Sequence, residues 1–207
     1  MDDIVRQAIA KWPNVPHCYG WLGLDARGGW RMRDERAQHL HLAGDKLSNP
    51  ALVGFITRNY GHDERGCWFF QNGPQRVYVN LEATPYIARS DPAQGWLLHT
   101  GAPLGVPAAA YLTEAGELIL CRDGIVAQLD DRDFAQVLPA LELDGATVSD
   151  EDLLAWLDDG AGTLALRCGA QPIAVQRLPR EQVAAHFGFV REPASVEERH
   201  ASVEEPQ

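Results

Sequence analysis

The sequence predicts an α+β protein made of two small lobes, each built from β-hairpins that are followed by helices. Three observations predict this class: recurring turn motifs, short apolar strands beside them and amphipathic helices after them. The phrase DARGGW begins at Asp25, and the similar phrase DERGCW begins at Asp63. In each, the aspartate suits the first position of a turn and the glycine suits the fourth. The tryptophan that follows each turn predicts a strand with an aromatic, buried side.

The N-terminal region is predicted to begin with a helix and a hairpin. Residues 2–12 carry apolar side chains at helical spacing after two aspartates, and Pro13 ends this helix. The first hairpin reverses at residues 25–28. Residues 34–47 are polar and contain two histidines, so we expect a loop there.

A second helix and hairpin follow. The helix is capped by Ser48 or Asn49, and Gly61 is expected to end it. After it come the strand CWFF, an Asn-Gly turn and the returning strand QRVYVNLE. Strand alternation places three side chains of the returning strand on one face: Arg76, Tyr78 and Asn80.

The downstream half repeats this scheme. Glycines at Gly116 and Gly162 each precede an apolar strand, a glycine turn, a second strand and a helix. Between them, SDEDLLAWLDDG predicts a helix with a capping box from Ser149 to Asp152 and an end at Gly160. We therefore expect a unit of strand, turn, strand and helix that is used about four times.

The domain organisation follows from composition along the chain. We expect an N-terminal lobe at 1–92, a C-terminal lobe at 93–191 and an acidic, mobile tail at 192–207. The stretch 90–110, which is rich in glycine, proline and small residues, is the expected junction.

Charge and cysteine usage exclude several functional classes. A net charge of -11 disfavours binding to nucleic acid or to an acidic membrane surface, because both depend on lysine and arginine. No apolar run is long enough to span a membrane, and the start of the chain does not resemble a signal peptide, so we expect a cytoplasmic protein. We expect free thiols at the four widely spaced cysteines: Cys18, Cys67, Cys121 and Cys168.

The N-terminal motifs resemble those of proteobacterial families known only as domains of unknown function. The resemblance rests on the helix residues Leu52, Val53 and Phe55, the turn 63–66, the segment LEATPYIAR and the first hairpin WLGLDARGGW. It covers roughly the first ninety residues; residues 34–47 depart from the family pattern by a longer polar insertion. The resemblance implies two α/β lobes with repeated motifs, no demonstrated activity and a conjectured role in signalling. It supplies no catalytic residue.

Three arginines are the candidate binding residues. Arg27, Arg65 and Arg76 lie on the predicted hairpins of an acidic protein, and neighbouring hairpins could bring their guanidinium groups together as a fork for an anion or carboxylate. The alternative, which we favour, is that each arginine pairs locally with an acid. The candidate acids are Asp25, Asp63, Glu64 and Glu82.

Cys18 is the candidate nucleophile of an alternative, enzymatic interpretation. His17 is adjacent, but neighbours in an extended segment point to opposite sides, so the base would have to come from elsewhere. We favour a structural cysteine. A zinc site is also disfavoured, because the spacing of its candidate ligands matches no ligand framework: His39, His41, His62 and Cys67.

Two further groups of residues have structural interpretations. The acidic residues ahead of apolar helices act as caps: Asp130, Asp131, Asp133, Asp150, Glu151 and Asp152. The aromatic residues form core rather than an exposed patch: Trp21, Trp30, Trp68 and Tyr78.

Together these patterns predict a cytoplasmic bacterial protein that binds and does not catalyse. Signatures of nucleotide-binding loops, serine hydrolases and zinc proteases are missing from the sequence. We expect no cofactor and no metal, and a partner that is an unidentified protein or a small anionic ligand. The sequence does not define an oligomeric state.

Overall fold

The computed structural model describes residues 1–13 and 15–195, and it confirms the α+β class. The chain divides into two compact units. Unit 1 comprises Met1–Asp25, Gly29–Glu82 and the C-terminal segment from Gly188; unit 2 comprises Ala26–Gly28 and Ala83–Phe187. Most of the predicted acidic tail, residues 196–207, lies outside the described residues.

Unit 1 consists of three helices and a six-stranded mixed sheet within the described part of the chain. The helices are α1 Asp3–Lys11, α2 Glu35–His39 and α3 Pro50–Arg58. The strands are β1 Cys18–Leu24, β2 Trp30–Met32, β3 Asp45–Lys46, β4 Tyr60–His62, β5 Trp68–Asn72 and β6 Gln75–Leu81. Their order in the sheet is β3-β2-β1-β6-β5-β4.

The sheet of unit 1 is held by two hairpins and one parallel pairing. Strands β1 and β2 form the first predicted hairpin, and β5 and β6 form the second. In the second, Asn72 pairs with Gln75, so the turn residues are Gly73 and Pro74 rather than Asn72 and Gly73. Parallel pairing of β1 with β6 then joins the two hairpins at the centre of the sheet.

The helices of unit 1 differ from the sequence prediction in two places. Asn49 caps α3 as expected, but that helix ends at Asn59, and Gly61 lies in β4. The predicted loop 34–47 contains α2 and β3. The short helix α2 forms because the Asp34 side chain accepts a hydrogen bond from the Ala37 backbone at 2.7 Å, which satisfies an orphan N–H of its first turn.

Unit 2 contains a nine-stranded mixed sheet and three α-helices in the described residues. The helices are α4 Phe134–Val137, α5 Asp150–Asp159 and α6 Val183–Phe187. The strands up to the first helix are β7 Tyr86–Asp91, β8 Gly95–Leu98, β9 Ala109–Leu112, β10 Leu118–Arg122 and β11 Ile125–Leu129. The strands after it are β12 Leu141–Leu143, β13 Ala146–Thr147, β14 Leu164–Arg167 and β15 Pro172–Arg177. The order in the sheet is β13-β12-β14-β15-β9-β10-β11-β7-β8.

A large apolar cluster stabilises unit 2. Its fully buried members include Leu112, Leu120, Leu141 and Leu166 from four different strands. Helix α5 packs Leu153 and Trp156 into the same cluster. The predicted capping box of α5 is present between Ser149 and Asp152, and Gly160 ends the helix with φ +72°.

The glycines of the predicted hairpin turns adopt the left-handed conformation that the motif requires. Gly28, Gly66 and Gly116 have φ values of +77°, +74° and +78°. The tryptophans after the first two turns are buried, with Trp30 at 2% and Trp68 at 7% exposure. The architectural interpretation of the repeated phrase therefore holds at both turns that carry it.

The chain returns to unit 1 after α6. Val190 forms a parallel bridge with Cys67, and the Leu81 backbone N–H donates to the Arg191 carbonyl at 2.8 Å. The division between the units lies at Glu82, whereas the sequence suggested residue 92. Residues 90–110, expected as a junction, instead contribute to β7, β8 and β9 of unit 2.

No helix in residues 1–13 or 15–195 is long and apolar enough to cross a membrane.

Candidate functional site

One face of the unit 1 sheet carries an unusual density of polar and aromatic side chains. On β6, Arg76 and Tyr78 alternate with Val77 and Val79, as the sequence predicted. Their partners on β5 are Gln71 and Phe69. The turn before β5 contributes Asp63 and Arg65, which meet the Tyr78 hydroxyl. We call the set of Asp63, Arg65, Arg76, Tyr78 and Tyr19 the arginine-tyrosine cluster.

Asp63 is the hub of this cluster. One carboxylate oxygen accepts backbone hydrogen bonds from Arg65 and Cys67, each at 3.0 Å, which closes the turn. The other accepts from Arg65 Nη2 at 2.8 Å and from the Tyr78 hydroxyl at 3.0 Å. The local pairing of Arg65 with Asp63 that the sequence suggested is therefore present.

The environment shifts the titration of both Asp63 and Tyr78. Burial opposes ionisation of Asp63, but hydrogen bonds from Arg65, Cys67 and Tyr78 outweigh it, so the pKa of Asp63 lies below its ordinary value. Burial raises the pKa of Tyr78, and its bond to Asp63 acts in the same direction. At neutral pH the cluster thus contains an ionised Asp63 and a neutral Tyr78.

Arg76 differs from Arg65 in its surroundings. Its guanidinium carbon lies 4.5 Å from the centre of the Phe69 ring, a cation-π contact, and its side chain reaches the Tyr78 hydroxyl. Among residues 1–13 and 15–195, no carboxylate forms an ion pair with it. Tyr19 stacks on Tyr78 with ring centres 4.6 Å apart and rings nearly parallel. The cluster therefore combines two arginines, two tyrosines and one acid, which Arg65 and Tyr78 contact directly.

His17 lies at the edge of the arginine-tyrosine cluster. Its ring meets the Tyr78 ring edge-on, with centres 5.8 Å apart. Burial, and then the positive charges of Arg76 and Arg65, lower the pKa of His17 below its ordinary 6.5. The imidazole is therefore neutral at pH 7.

The structure places the third candidate arginine, Arg27, in unit 2. Its Nε and Nη2 atoms donate to the two carboxylate oxygens of Asp131, each at 2.9 Å. Asp25, the local acid suggested by the sequence, instead accepts from the Gly29 backbone at 2.6 Å and from Arg31 at 2.7 Å. Of the three predicted arginines, only Arg65 and Arg76 are brought together around a shared side chain, Tyr78.

A polar cleft of about 310 Å³ lies on the same unit and was not predicted from the sequence. Gly23 forms part of its lining, and Arg31 and Asn80 are the register partners of Gly23 on the two strands beside β1. Arg33 and Glu192 complete its charged lining together with Asp25 and Glu82. The strand register places Gly23 between Arg31 on β2 and Asn80 on β6, an arrangement that the sequence alone does not show.

Cys18 lines a separate apolar groove of about 330 Å³ in unit 1. The other lining residues are Trp21, Leu22, Met32, Leu52, Phe55, Ile56, Phe70, Asn72 and Val77. None of them is a histidine, and the neighbouring His17 contacts Tyr78 instead. The groove thus supplies no imidazole base for the nucleophile of the enzymatic interpretation.

The remaining candidate residues have structural surroundings. No group of three or more His, Cys, Asp or Glu side chains within the described ranges could hold a metal ion. Asp130 accepts from the Arg132 backbone and side chain, and Asp133 accepts from the Ser90 backbone at 2.9 Å. Of the four aromatic residues, Trp30, Trp68 and Tyr78 are buried, as expected for core, whereas Trp21 is 42% exposed.

Comparisons with known proteins give a family but no activity. The sequence model of DUF2944, described as "Protein of unknown function (DUF2946)", matches residues 1–194. A solved structure of a DUF1285 family protein from Silicibacter pomeroyi DSS-3 is similar over 85% of this chain and 96% of that chain, at 14% identity and a TM-score of 0.47. No curated protein matches the chain.

Proposed function

This chain belongs to the DUF2944 family of proteins of unknown function, and within that frame we propose that it is a cytoplasmic, non-enzymatic protein that binds a small oxyanion on unit 1. The proposed site is the arginine-tyrosine cluster, and the bound group is a carboxylate or a phosphate. Such a site would let the protein sense an anionic metabolite, which agrees with the signalling role implied by the family resemblance.

The observation that carries this proposal is the environment of Arg76. Its guanidinium carbon lies 4.5 Å from the centre of the Phe69 ring, so an aromatic surface covers one side of the group. No carboxylate within the described residues neutralises it, although acids outnumber basic residues by 29 to 18 in the chain. An arginine kept from acids in an acidic protein supports a role in binding an external anion.

The neighbours of Arg76 supply further donors. The Tyr78 hydroxyl accepts from Arg65 Nη2 at 3.1 Å and donates its proton to Asp63, so the phenol donor on offer is that of Tyr19, which lies close enough to interact with Arg65. Since Asp63 balances only one of the two arginines, the cluster retains one positive charge when His17 is neutral. Guanidinium and phenol donors around a single positive charge suit a monoanionic group.

The test is a titration of the full chain with inorganic phosphate and, separately, with acetate, followed by calorimetry and by NMR shifts of the Arg76 side chain. We expect Arg76→Gln to weaken binding of the preferred anion by about tenfold or more, because a charge-assisted hydrogen bond contributes about 1.5–3 kcal/mol. Arg76→Lys should restore only part of the affinity, since lysine keeps the charge but loses the planar fork.

The matched control is Arg6→Gln, which removes an exposed arginine on α1 that pairs with Asp3 within the helix. It should leave anion affinity unchanged. Thermal unfolding of each variant checks that unit 1 still folds. The proposal fails if neither anion binds, or if Arg76→Gln and Arg6→Gln have equal effects on affinity.

A further inference from the structure

The polar cleft of unit 1 has the composition of a second binding site. Its lining brings together Gly23 from β1, Arg31 and the following Arg33, Asn80 from β6 and Glu192 from the C-terminal segment. Its volume of about 310 Å³ lies at the lower end of the range of roughly 300–1,000 Å³ that is typical of small-molecule sites. The cleft is distinct from the arginine-tyrosine cluster, since none of that cluster's residues lines it.

Asn80, which lines this cleft, carries a buried side-chain oxygen without a partner among the described residues. The Asn80 side-chain oxygen is inaccessible to solvent and accepts no hydrogen bond from the described residues. A buried acceptor without a donor costs about 1–3 kcal/mol, and such groups are rare in folded proteins. A bound molecule that presents an N–H or O–H to Asn80 would remove this penalty.

The charged residues of the cleft indicate which charged groups a ligand would carry. Arg33 donates its Nε to the Leu42 carbonyl at 3.1 Å, and no carboxylate of the described chain pairs with its guanidinium. Arg31, by contrast, is held by Asp25 at 2.7 Å. Arg33 is therefore the cation that is available for a ligand carboxylate.

The acids of the cleft exclude a strongly anionic ligand. Two arginines and three carboxylates line it, the acids being Asp25, Glu82 and Glu192. A dianion would meet net repulsion from this lining. A molecule with one carboxylate and one ammonium group fits it better, because the carboxylate would face Arg33 and the ammonium group would face the acids and Asn80.

We propose that the cleft lined by Gly23, Arg33, Asn80 and Glu192 binds a free α-amino acid. Arg33 holds the α-carboxylate, and the Asn80 side-chain oxygen and the Glu192 carboxylate accept hydrogen bonds from the α-ammonium. Gly23 gives the molecule room to lie against the sheet. This site and its ligand are independent of the oxyanion site proposed above.

Gly23 offers a sharp steric test. Its φ is not in the left-handed region, and an added methyl group would lie 3.6 Å from Arg33 Cδ, 3.6 Å from the Asn80 carbonyl oxygen and 3.7 Å from Arg31 Cβ. These are ordinary van der Waals distances, so Gly23→Ala should fold, yet its methyl group occupies space beside the two proposed ligand contacts. The matched control is Gly61→Ala in β4, where an added methyl group meets nothing within 4 Å.

The experiment screens the full chain against a panel of free L-amino acids by thermal shift and measures the best ligand by calorimetry. The same measurement is repeated with two analogues of that amino acid. One is the amine that lacks the carboxylate, and the other is the carboxylic acid that lacks the amino group. We expect both analogues, and the variants Arg33→Gln and Gly23→Ala, to bind at least about tenfold more weakly, while Gly61→Ala binds like wild type.

Several outcomes would overturn the proposal. It is wrong if no amino acid of the panel binds, if the deaminated acid binds as tightly as the amino acid, or if Gly23→Ala and Gly61→Ala have the same affinity. Loss of amino-acid binding in Arg76→Gln, with retention in Gly23→Ala, would assign the ligand to the arginine-tyrosine cluster instead.

Discussion

The arginines of unit 2 and those of the unit 1 sheet differ in what they bind. In unit 2, six arginines form ion pairs within that unit: Arg27, Arg89, Arg122, Arg132, Arg167 and Arg180. A seventh, Arg177, donates to the carbonyls of Leu157 and Asp158 at the end of α5, where a cation complements the helix dipole. In unit 1, Arg33 and Arg76 find no carboxylate among the described residues.

Unit 1 also has paired arginines, namely Arg6, Arg31, Arg58 and Arg65, so the difference between the units lies in the two arginines that remain available for ligands. An unpaired guanidinium next to an aromatic ring or a cleft contributes little to stability, so its presence in an acidic chain favours a binding role. The turn glycines show the same kind of contrast. Gly66 of unit 1 and Gly116 of unit 2 share a φ value near +75°, but only Gly66 lies against other backbone.

The largest expected effect is that of Gly66→Ala. An added methyl group would lie 2.0 Å from the Gly188 carbonyl oxygen, which cannot move without displacing the returning C-terminal segment. The left-handed conformation alone costs a non-glycine residue about 1–3 kcal/mol. We therefore expect a loss of more than about 3 kcal/mol in the free energy of unfolding, measured by urea denaturation. A loss equal to that of Gly116→Ala would contradict the contrast between the two turns.

Next in size is Asp130→Asn, which tests whether ion pairs stabilise unit 2. Hydrogen bonds from Arg132 lower the pKa of the buried Asp130 to about 2, against an ordinary value of 3.8. At 1.36 kcal/mol for each pKa unit, neutralising this group should cost roughly 2 kcal/mol at pH 7. Because the folded-state pKa is depressed, this stability is present above pH ~4 and disappears as the pH falls towards ~2.

The measurement is urea unfolding of wild type and Asp130→Asn at neutral pH and at about pH 3. The difference between the two proteins should shrink at the lower pH. A constant difference across that range would show that the charge of Asp130 is not the source of the effect, since the asparagine oxygen can still accept from the Arg132 backbone N–H in the variant.

Gly116→Ala should have a smaller effect. An added methyl group meets nothing within 4 Å, so only the cost of a positive φ remains. We expect a loss of about 1 kcal/mol, measured under the same conditions as for Gly66→Ala. A loss above about 3 kcal/mol would mean that the turn of unit 2 is as constrained as that of unit 1.

The smallest effect concerns His17, whose pKa reports the charge of the arginine-tyrosine cluster. NMR titration should give a pKa below 6.5. Arg76→Gln should raise this pKa, because one of the two nearby positive charges is removed. Bound phosphate should raise it as well, and by linkage the anion should bind more tightly as the pH falls and His17 takes up a proton. An unchanged pKa in Arg76→Gln would separate His17 from the cluster.

Local chemistry explains which features were predictable from the sequence. The turns at Gly28, Gly66 and Gly116 and the capping box of α5 depend on residues a few positions apart, so their motifs predict them. Helix α2 was missed because its five residues carry little apolar periodicity and only the Asp34 cap indicates it.

The sites depend on contacts that no local motif encodes. Arg27 pairs with an acid 104 positions away, and Gly23 meets Asn80 only through the parallel register of β1 and β6. The alternation of β6 did predict that Arg76, Tyr78 and Asn80 share a face. The sequence did not show which of these side chains would lack a partner. That depends on the positions of residues from the other strands and from the C-terminal segment.

The returning segment at Val190 and Arg191 also sets an order of events during synthesis. Unit 1 begins at the N-terminus, but Cys67 and β6 receive their contacts to this segment only after the entire unit 2 has been translated. At 5–20 residues per second, the ribosome takes roughly 5–20 s to pass from Glu82 to Gly188. During that interval Cys67 lacks its bridge partner Val190. The accessibility of this thiol in a nascent chain therefore reports whether the N-terminal unit has been completed.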